Sequence, residues 1–102
     1  MSELEKRFEQ AMIDIYYKAR QECDYAPNRF LQMIYEYGGI AAAKRLLEYD
    51  QLHEGLIRLW EYKRLDLSME ALILHSEFQS LFSEKEKQIA RERLHELGYQ
   101  IK

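Results

Sequence analysis

The sequence predicts an all-α fold, a single compact bundle of five or six helices in which long first and last helices frame shorter ones. Apolar residues recur at spacings of three and four in several segments, as on the buried face of a helix. Ser2 and Ser83 each precede a glutamate by three residues, the capping-box signature of a helix start. The 102 residues and 47% apolar content suit one core. We therefore expect residues 1–102 to form one domain.

The first helix is predicted from about Glu3 to Cys23. Its apolar residues fall on one face of the helix, and its charged residues point elsewhere. A helix of this length must bury the apolar face to be stable in water. We expect the other helices to pack against it. The residues on or beside this face are Leu4, Phe8, Ala11, Met12, Ile13, Ile15, Tyr16 and Ala19.

A lone proline and a pair of glycines mark the ends of the second helix. Pro27 disfavours helical geometry in the preceding residue and suits the first turn of a helix, so residues 24–26 form a predicted turn. Gly38 and Gly39 should end this helix, because glycine accepts a left-handed cap conformation. The alanine-rich run over 40–49 predicts a third helix whose small side chains allow a close approach to a neighbour.

A corner is predicted where the fourth and fifth helices meet. After a short polar loop over 49–53, a helix over about 54–62 leads into the alternating segment 64–67. Ser68 is suited to starting the fifth helix. The apolar face expected on the fourth helix consists of Leu56, Leu59 and Trp60.

The sequence after Ser68 predicts the course of the fifth helix and one more helix, the sixth. Glu70 falls in the first turn of the fifth helix, where the helix dipole favours an acid, and Ser76 should interrupt this helix. The sixth helix begins after Ser83, carries a clear apolar stripe and ends at Gly98.

Charge and composition limit the possible functions. The formal net charge is −3, so the chain lacks the excess of positive charge expected of a domain that binds phosphates. No window contains the roughly 20 apolar residues needed to cross a bilayer, so we expect no membrane span. Cys23 is the only cysteine, which predicts a reducing cytoplasm rather than a disulfide framework.

The chemically reactive residues form no catalytic pattern. His53, His75 and His95 are widely spaced, and none has a second histidine at helical metal-site spacing. Cys23 is flanked by acids that disfavour its thiolate, and the acids of the last helix interleave with Lys85, Lys87, Arg91 and Arg93 as on a solvated face. We therefore predict no catalytic, cofactor-binding or metal-binding residue and no enzymatic activity. An enzyme would require His53, His75, Cys23 and acids to be brought together by the fold.

Nucleic-acid binding is the alternative function. Gly38 and Gly39 before a helix suggest an anion site, but they lack the rest of a phosphate-binding fingerprint, so a simple turn is the better interpretation. The second and third helices also allow a helix-turn-helix whose basic side chains touch phosphates. The residues expected to do so are Lys44, Arg45, Arg58, Lys63 and Arg64, and nearby acids offset their charge.

The chain has eight tyrosines, more than a core of this size needs. Exposed tyrosine often marks a contact site, because it offers a large area at a low entropy cost. We predict a partner-binding patch near the turn at Gly38 and Gly39, which we call the glycine turn, and near the corner between the fourth and fifth helices. Arg64 and Asp66 have a purely structural alternative, in which Asp66 caps the fifth helix and Arg64 pairs with it. The residues of the predicted patch are Tyr35, Tyr49, Trp60, Tyr62, Arg64 and Asp66.

One segment carries a resemblance. The run over 58–72, with Arg-Leu-Trp-Glu followed by Arg-Leu-Asp-Leu-Ser-Met-Glu-Ala-Leu, together with residues 29–33 and the glycine pair, resembles a family of small bacterial helical proteins and appended tails. The resemblance covers most of the chain and implies a bacterial source and a helical fold. It implies no reaction and no catalytic residue. The function expected from the sequence is a non-enzymatic helical interaction module that binds a protein partner or itself.

Overall fold

The chain forms helices throughout the part that can be described, residues 2–48 and 54–100 of a computed structural model. The predicted all-α fold is confirmed, because these residues contain no strand. The first and last helices are the longest, at 20 and 13 residues. The α-helices are α1 Glu3–Glu22, α2 Asn28–Tyr37, α3 Gly39–Leu47, α4 Glu54–Glu61, α5 Met69–Ile73 and α6 Glu84–Glu96; short 3-10 helices span Leu65–Leu67 and Gln79–Leu81. The predicted loop over 49–53 lies outside the described residues.

Helix α1 is the element against which much of the domain packs. Ser2 caps it with a complete capping box, as predicted: its hydroxyl accepts the Glu5 N–H at 3.1 Å, and the Glu5 carboxylate accepts the Ser2 N–H at 3.2 Å. The helix contacts α2, α3, α5 and the first 3-10 helix. Its fully buried residues are Phe8, Met12, Tyr16 and Ala19, all from the predicted apolar face.

Aromatic rings join the start of α1 to the segment before α6. The Phe8 ring lies edge-on to Phe78 and Phe82, with centroid distances of 5.3 Å and 5.2 Å. All three rings are buried. Edge-to-face pairs add to the stability gained from burial alone, about 0.5–1.5 kcal/mol each. The irregular segment after α5 is therefore held on α1 by its aromatic side chains.

Helix α3 crosses α1 at very close range. Gly38 ends α2 with φ +87°, a left-handed conformation that favours glycine, and Gly39 follows as the first residue of α3. A Cβ atom placed on Gly39 would lie 2.7 Å from the Glu9 Cα, so the α1 backbone itself fills that space. The Gly39 N–H donates to Glu9 Oε1 at 2.8 Å. The sequence places a close approach of this helix at its alanine run, and the structure shows one at Gly39, just before that run.

Helix α6 begins at the predicted capping box and is pinned to α3. Ser83 Oγ accepts the Glu86 N–H at 3.2 Å, and the Glu86 carboxylate accepts the Ser83 N–H at 2.8 Å. The same carboxylate accepts two hydrogen bonds from the Lys44 ammonium, at 2.9 and 3.1 Å. Burial acts most strongly on the pKa of Glu86 and raises it, but the bonds from Ser83 and Lys44 together leave that pKa below its usual range.

A buried ion pair corrects two expectations. Arg93 was predicted on a solvated face and Glu70 in an ordinary first turn, but both are buried, with Glu70 completely so. Arg93 Nη1 donates to Glu70 Oε2 at 3.1 Å, and the guanidinium also donates to the carbonyls of Leu46 and Leu47 at 3.2 and 3.3 Å. These carbonyls end α3. Arg93 therefore ties three helices together, since the last carbonyls of a helix need donors.

The corner after α4 is built from short elements. The alternating segment forms the 3-10 helix Leu65–Leu67, whose two leucines are buried. Ser68 caps α5, as predicted, by accepting the Ala71 N–H at 3.1 Å. Asp66 does not cap this helix, so that part of the structural alternative was wrong. Helix α5 ends at Ile73, before Ser76.

Candidate functional site

The candidate site is the corner surface, which we define as Trp60, Tyr62, Arg64 and Asp66. Trp60 belongs to the last turn of α4, and the helix ends after Glu61. Its end is closed by hydrogen bonds from the Lys63 N–H to the Trp60 carbonyl at 2.9 Å and from the Arg64 N–H to the Leu59 carbonyl at 2.8 Å. Lys63 takes the left-handed conformation that this tight end requires, with φ +60°. The turn reverses the chain and carries Arg64 back towards the end of α1.

Arg64 holds the corner together. Its Nε and Nη2 atoms donate to the two oxygens of Asp66 at 3.1 and 3.2 Å, a bidentate pair, and its Nη1 atom donates to Glu22 at the end of α1. The hydrogen bonds to Asp66, and then those to Glu22, raise the pKa of the guanidinium above its ordinary value. The pairing expected of Arg64 with Asp66 is therefore present, and it includes a third partner in α1.

Two aromatic side chains project from this corner into solvent. Trp60 is 47% exposed and Tyr62 is 46% exposed. Trp60 was predicted on the apolar face of α4 with Leu56 and Leu59, and for Trp60 that prediction was wrong: both leucines are buried, whereas the indole lies outside the core. Helical spacing places Trp60 beside these leucines, but which residues of an apolar stripe are covered depends on the neighbouring elements and not on the spacing.

The structure does not bring the predicted patch together as one surface. Tyr35 is 68% exposed but lies near the end of α2, where Gly39 meets Glu9 of α1. The corner meets α1 at Glu22. At 1.5 Å per helical residue these two points on α1 are roughly 20 Å apart. Tyr35 therefore belongs to the glycine turn and not to the corner surface. Tyr49 lies outside the described residues.

The basic residues of the nucleic-acid alternative are mostly engaged within the protein. Of the set, only Lys63 has no partner among residues 2–48 and 54–100. The contacts are Lys44 with Glu86, Arg45 over the Tyr37 ring at 4.1 Å, Arg58 over the Tyr25 ring at 5.3 Å, and Arg64 with Asp66 and Glu22. These guanidinium and ammonium groups stabilise the fold instead of forming an open cationic stripe.

The glycine turn also differs from a helix-turn-helix. Helices α2 and α3 are separated by Gly38 alone, whereas the DNA-binding motif has a turn of three or four residues. The Gly39 amide at the start of α3 is bonded to a carboxylate of α1, so it is not presented to a phosphate. The interpretation of the glycine pair as a simple turn fits this geometry.

The described reactive residues differ in their surroundings. Cys23 is fully buried, and burial is the main cause that raises the pKa of its thiol. His75 and His95 are exposed on different elements, and His53 lies outside the described residues. Among the residues with assigned positions, no group of three histidine, cysteine or acidic side chains is arranged to hold a metal ion.

No helix in the described ranges combines the length and the apolar character that crossing a membrane requires.

No protein-family model matches the chain, and neither the curated proteins nor the solved structures contain a similar one.

Proposed function

We propose that the chain is a non-enzymatic helical interaction module that binds a protein partner or a second copy of itself through the corner surface. The observation that carries this proposal is the exposure of Trp60, the single tryptophan of the chain, at the end of α4 beside a well-braced turn. An indole placed about half in water gains free energy when a partner covers it, because apolar area is worth roughly 25 cal/mol per Å² on burial.

The surroundings of Trp60 also suit an interface. Tyr62 is the next large exposed side chain along the turn, and tryptophan and tyrosine are enriched among the residues that dominate binding energy. Arg64 and Asp66 are fixed by their bidentate pairing and lie at the edge of the same surface. A rigid turn loses little conformational entropy on binding, which favours affinity.

Self-association is tested first, since the protein contains its own probe. Trp60 is the only tryptophan, so its emission reports directly on whether the corner surface becomes covered. If a second copy binds there, the emission maximum shifts to shorter wavelength as the protein concentration rises, and sedimentation velocity shows a larger species over the same range. The double variant Trp60→Ser/Tyr62→Ser should then sediment as a monomer at every concentration.

A partner of a different sequence is tested with a matched pair of variants. The full chain, immobilised, captures proteins from a bacterial lysate, and each captured protein is purified and titrated by calorimetry. Trp60→Ser/Tyr62→Ser should weaken its affinity at least tenfold. The control Tyr17→Ser/Tyr35→Ser removes exposed tyrosines elsewhere and should leave the affinity unchanged. Equal affinities for the two variants, or a monomer that captures nothing, would contradict the proposal.

Nucleic-acid binding is the weaker candidate, because of its proposed cations only Lys63 is free of partners in the described ranges. It predicts a mobility shift of duplex DNA or RNA that disappears as the salt concentration rises. An absence of any shift at low salt would end this alternative.

The bacterial cytoplasm is the proposed location. It follows from the resemblance noted above and from the presence of one cysteine, which is fully buried as a free thiol. Immunodetection in fractionated bacterial cells tests it directly.

A further inference from the structure

A second feature of the molecule is a half-open cavity of about 480 Å³ whose lining does not include Trp60. It lies between the second half of α1, the segment leading into α2, helix α4 and the start of α5. Binding sites for small molecules are typically clefts of roughly 300–1,000 Å³. The cavity thus has the size of a ligand site, and none of the corner-surface residues lines it.

The walls of the cavity are mainly apolar. Aliphatic, aromatic and thioether side chains from the first five α-helices and the first 3-10 helix face it, and most of them are buried or half-buried. Such a lining favours the aliphatic or aromatic body of a ligand over a fully polar one. The principal wall residues are Ile15, Phe30, Met33, Leu56, Leu59 and Met69.

The charges at the cavity favour an acidic group. Among the described residues, Glu70 and Arg29 are the charged ones that line it, and the Glu70 carboxylate accepts a hydrogen bond from Arg93 at 3.1 Å. The Glu70–Arg93 pair therefore contributes no net charge. Arg29 lies exposed at the rim and makes no ion pair with any other residue of the described ranges, so its charge is the one that an entering ligand meets.

The start of α2 strengthens this preference. Pro27, Asn28 and Arg29 all line the cavity, and no side chain caps this end of the ten-residue helix. The positive end of the helix dipole therefore borders the cavity on the same side as the guanidinium of Arg29. Both features act in the same direction, since each attracts an anion to the mouth of an apolar cavity.

We propose that this cavity binds an amphipathic monoanion, a small molecule with an apolar body and one acidic head group, placed with the head at Arg29 and the body against the wall of α4. The proposal is independent of the interaction surface. Loss of ligand binding would leave the corner surface intact, and loss of partner binding would leave the cavity intact.

The test uses 8-anilino-1-naphthalenesulfonate, a fluorescent probe with an aromatic body and one sulfonate. We expect saturable binding of one probe per chain, with energy transfer from Trp60, which adjoins Leu59 in the wall. Octanoate should displace the probe at a concentration at least tenfold lower than 1-octanol, which has the same chain length and no charge. Probe binding that does not saturate, or equal displacement by the acid and the alcohol, would overturn the proposal.

Two variants locate the site. Ala26→Phe adds a ring at the exposed rim and should weaken probe binding at least tenfold, whereas Ala41→Phe adds the same ring on an exposed part of α3 and should change nothing. Arg29→Gln, a surface change, should reduce the preference for octanoate over octanol to about twofold or less. If Ala26→Phe melts at a lower temperature than the wild type, the test rests on Arg29→Gln alone. A preference for octanoate over octanol in Arg29→Gln as large as in the wild type would refute the placement of the acidic head group at Arg29.

Discussion

The crossing of α1 and α3 gives the sharpest prediction about stability. Gly39→Ala adds a single methyl group at the first residue of α3. Its carbon would lie 2.7 Å from the Glu9 Cα and 2.9 Å from the Glu9 Cβ, whereas ordinary contacts begin near 3.4 Å. Because the nearest atom belongs to the α1 backbone, a side-chain rotation cannot relieve the overlap. The two helices must move apart, and the hydrogen bond from the Gly39 N–H to Glu9 lengthens with them.

The change in the free energy of unfolding combines two losses and one gain. Overpacking a well-packed contact costs about 1–3 kcal/mol. Replacing glycine by alanine in a helix gains up to about 1 kcal/mol in propensity, and less at the first residue than in the interior. The weakened bond to Glu9 adds to the cost, about 1 kcal/mol for a typical hydrogen bond. We therefore expect Gly39→Ala to lower the free energy of unfolding by about 2 kcal/mol, or the melting temperature by about 8–16 °C.

Urea unfolding followed by circular dichroism measures this change. The companion variant Glu9→Ala shortens the side chain beneath Gly39 but keeps the backbone in place, so it should not rescue Gly39→Ala. A double variant as stable as Glu9→Ala alone would show that the contact is with a flexible side chain. A Gly39→Ala protein as stable as the wild type would refute the close crossing altogether.

Three further predictions follow from the ion pairs and the buried thiol. Arg93→Met removes the guanidinium from the buried Glu70 carboxylate and should lower the free energy of unfolding, measured with urea, by about 3–5 kcal/mol. Adding Glu70→Leu should restore most of this loss, and additive losses in the double variant would contradict the pairing. Because the pKa of Glu86 is lower in the folded chain, its contribution to stability is complete above pH 4.5, the ordinary value, and is lost as the pH falls through the folded value. Glu86→Gln should therefore flatten the decline of melting temperature in acid, and an unchanged decline would exclude this carboxylate as the cause. Cys23 should react with a disulfide reagent much more slowly in the native chain than in guanidinium chloride, and equal rates would show that its burial is wrong.

Features that depend on neighbouring residues were predicted well. The capping boxes at Ser2 and Ser83 and the cap at Ser68 lie where the sequence places them, because each is completed by an amide only three residues away. The glycine pair also ends α2 as expected, since Gly38 adopts a conformation that other residues avoid. The all-α class and the order of the helices follow from such local signals.

The candidate site was predicted only in part. Exposed tyrosine was expected from the surplus of that residue, and Tyr62 is about half exposed, as is Trp60, which the sequence also placed on the apolar face of α4. Their separation from Tyr35 along α1 could not be inferred, because distances between helices depend on how the helices pack. The cavity beside α4 left no sequence signal either, since its walls come from five α-helices and a 3-10 helix spread over more than half of the chain.

The sequence by itself determined the order of the α-helices, the starts capped by serine and the apolar face of α1, because hydrogen bonding within three or four residues and helical periodicity are local. Only the tertiary structure decided that Arg93 and Glu70 are buried together, that Gly39 lies against the α1 backbone and that Trp60 faces solvent. The physical reason is that burial depends on the neighbours available at each point. A charged side chain is buried when the fold brings a partner to it, and an apolar one stays exposed where the fold brings too little to cover it.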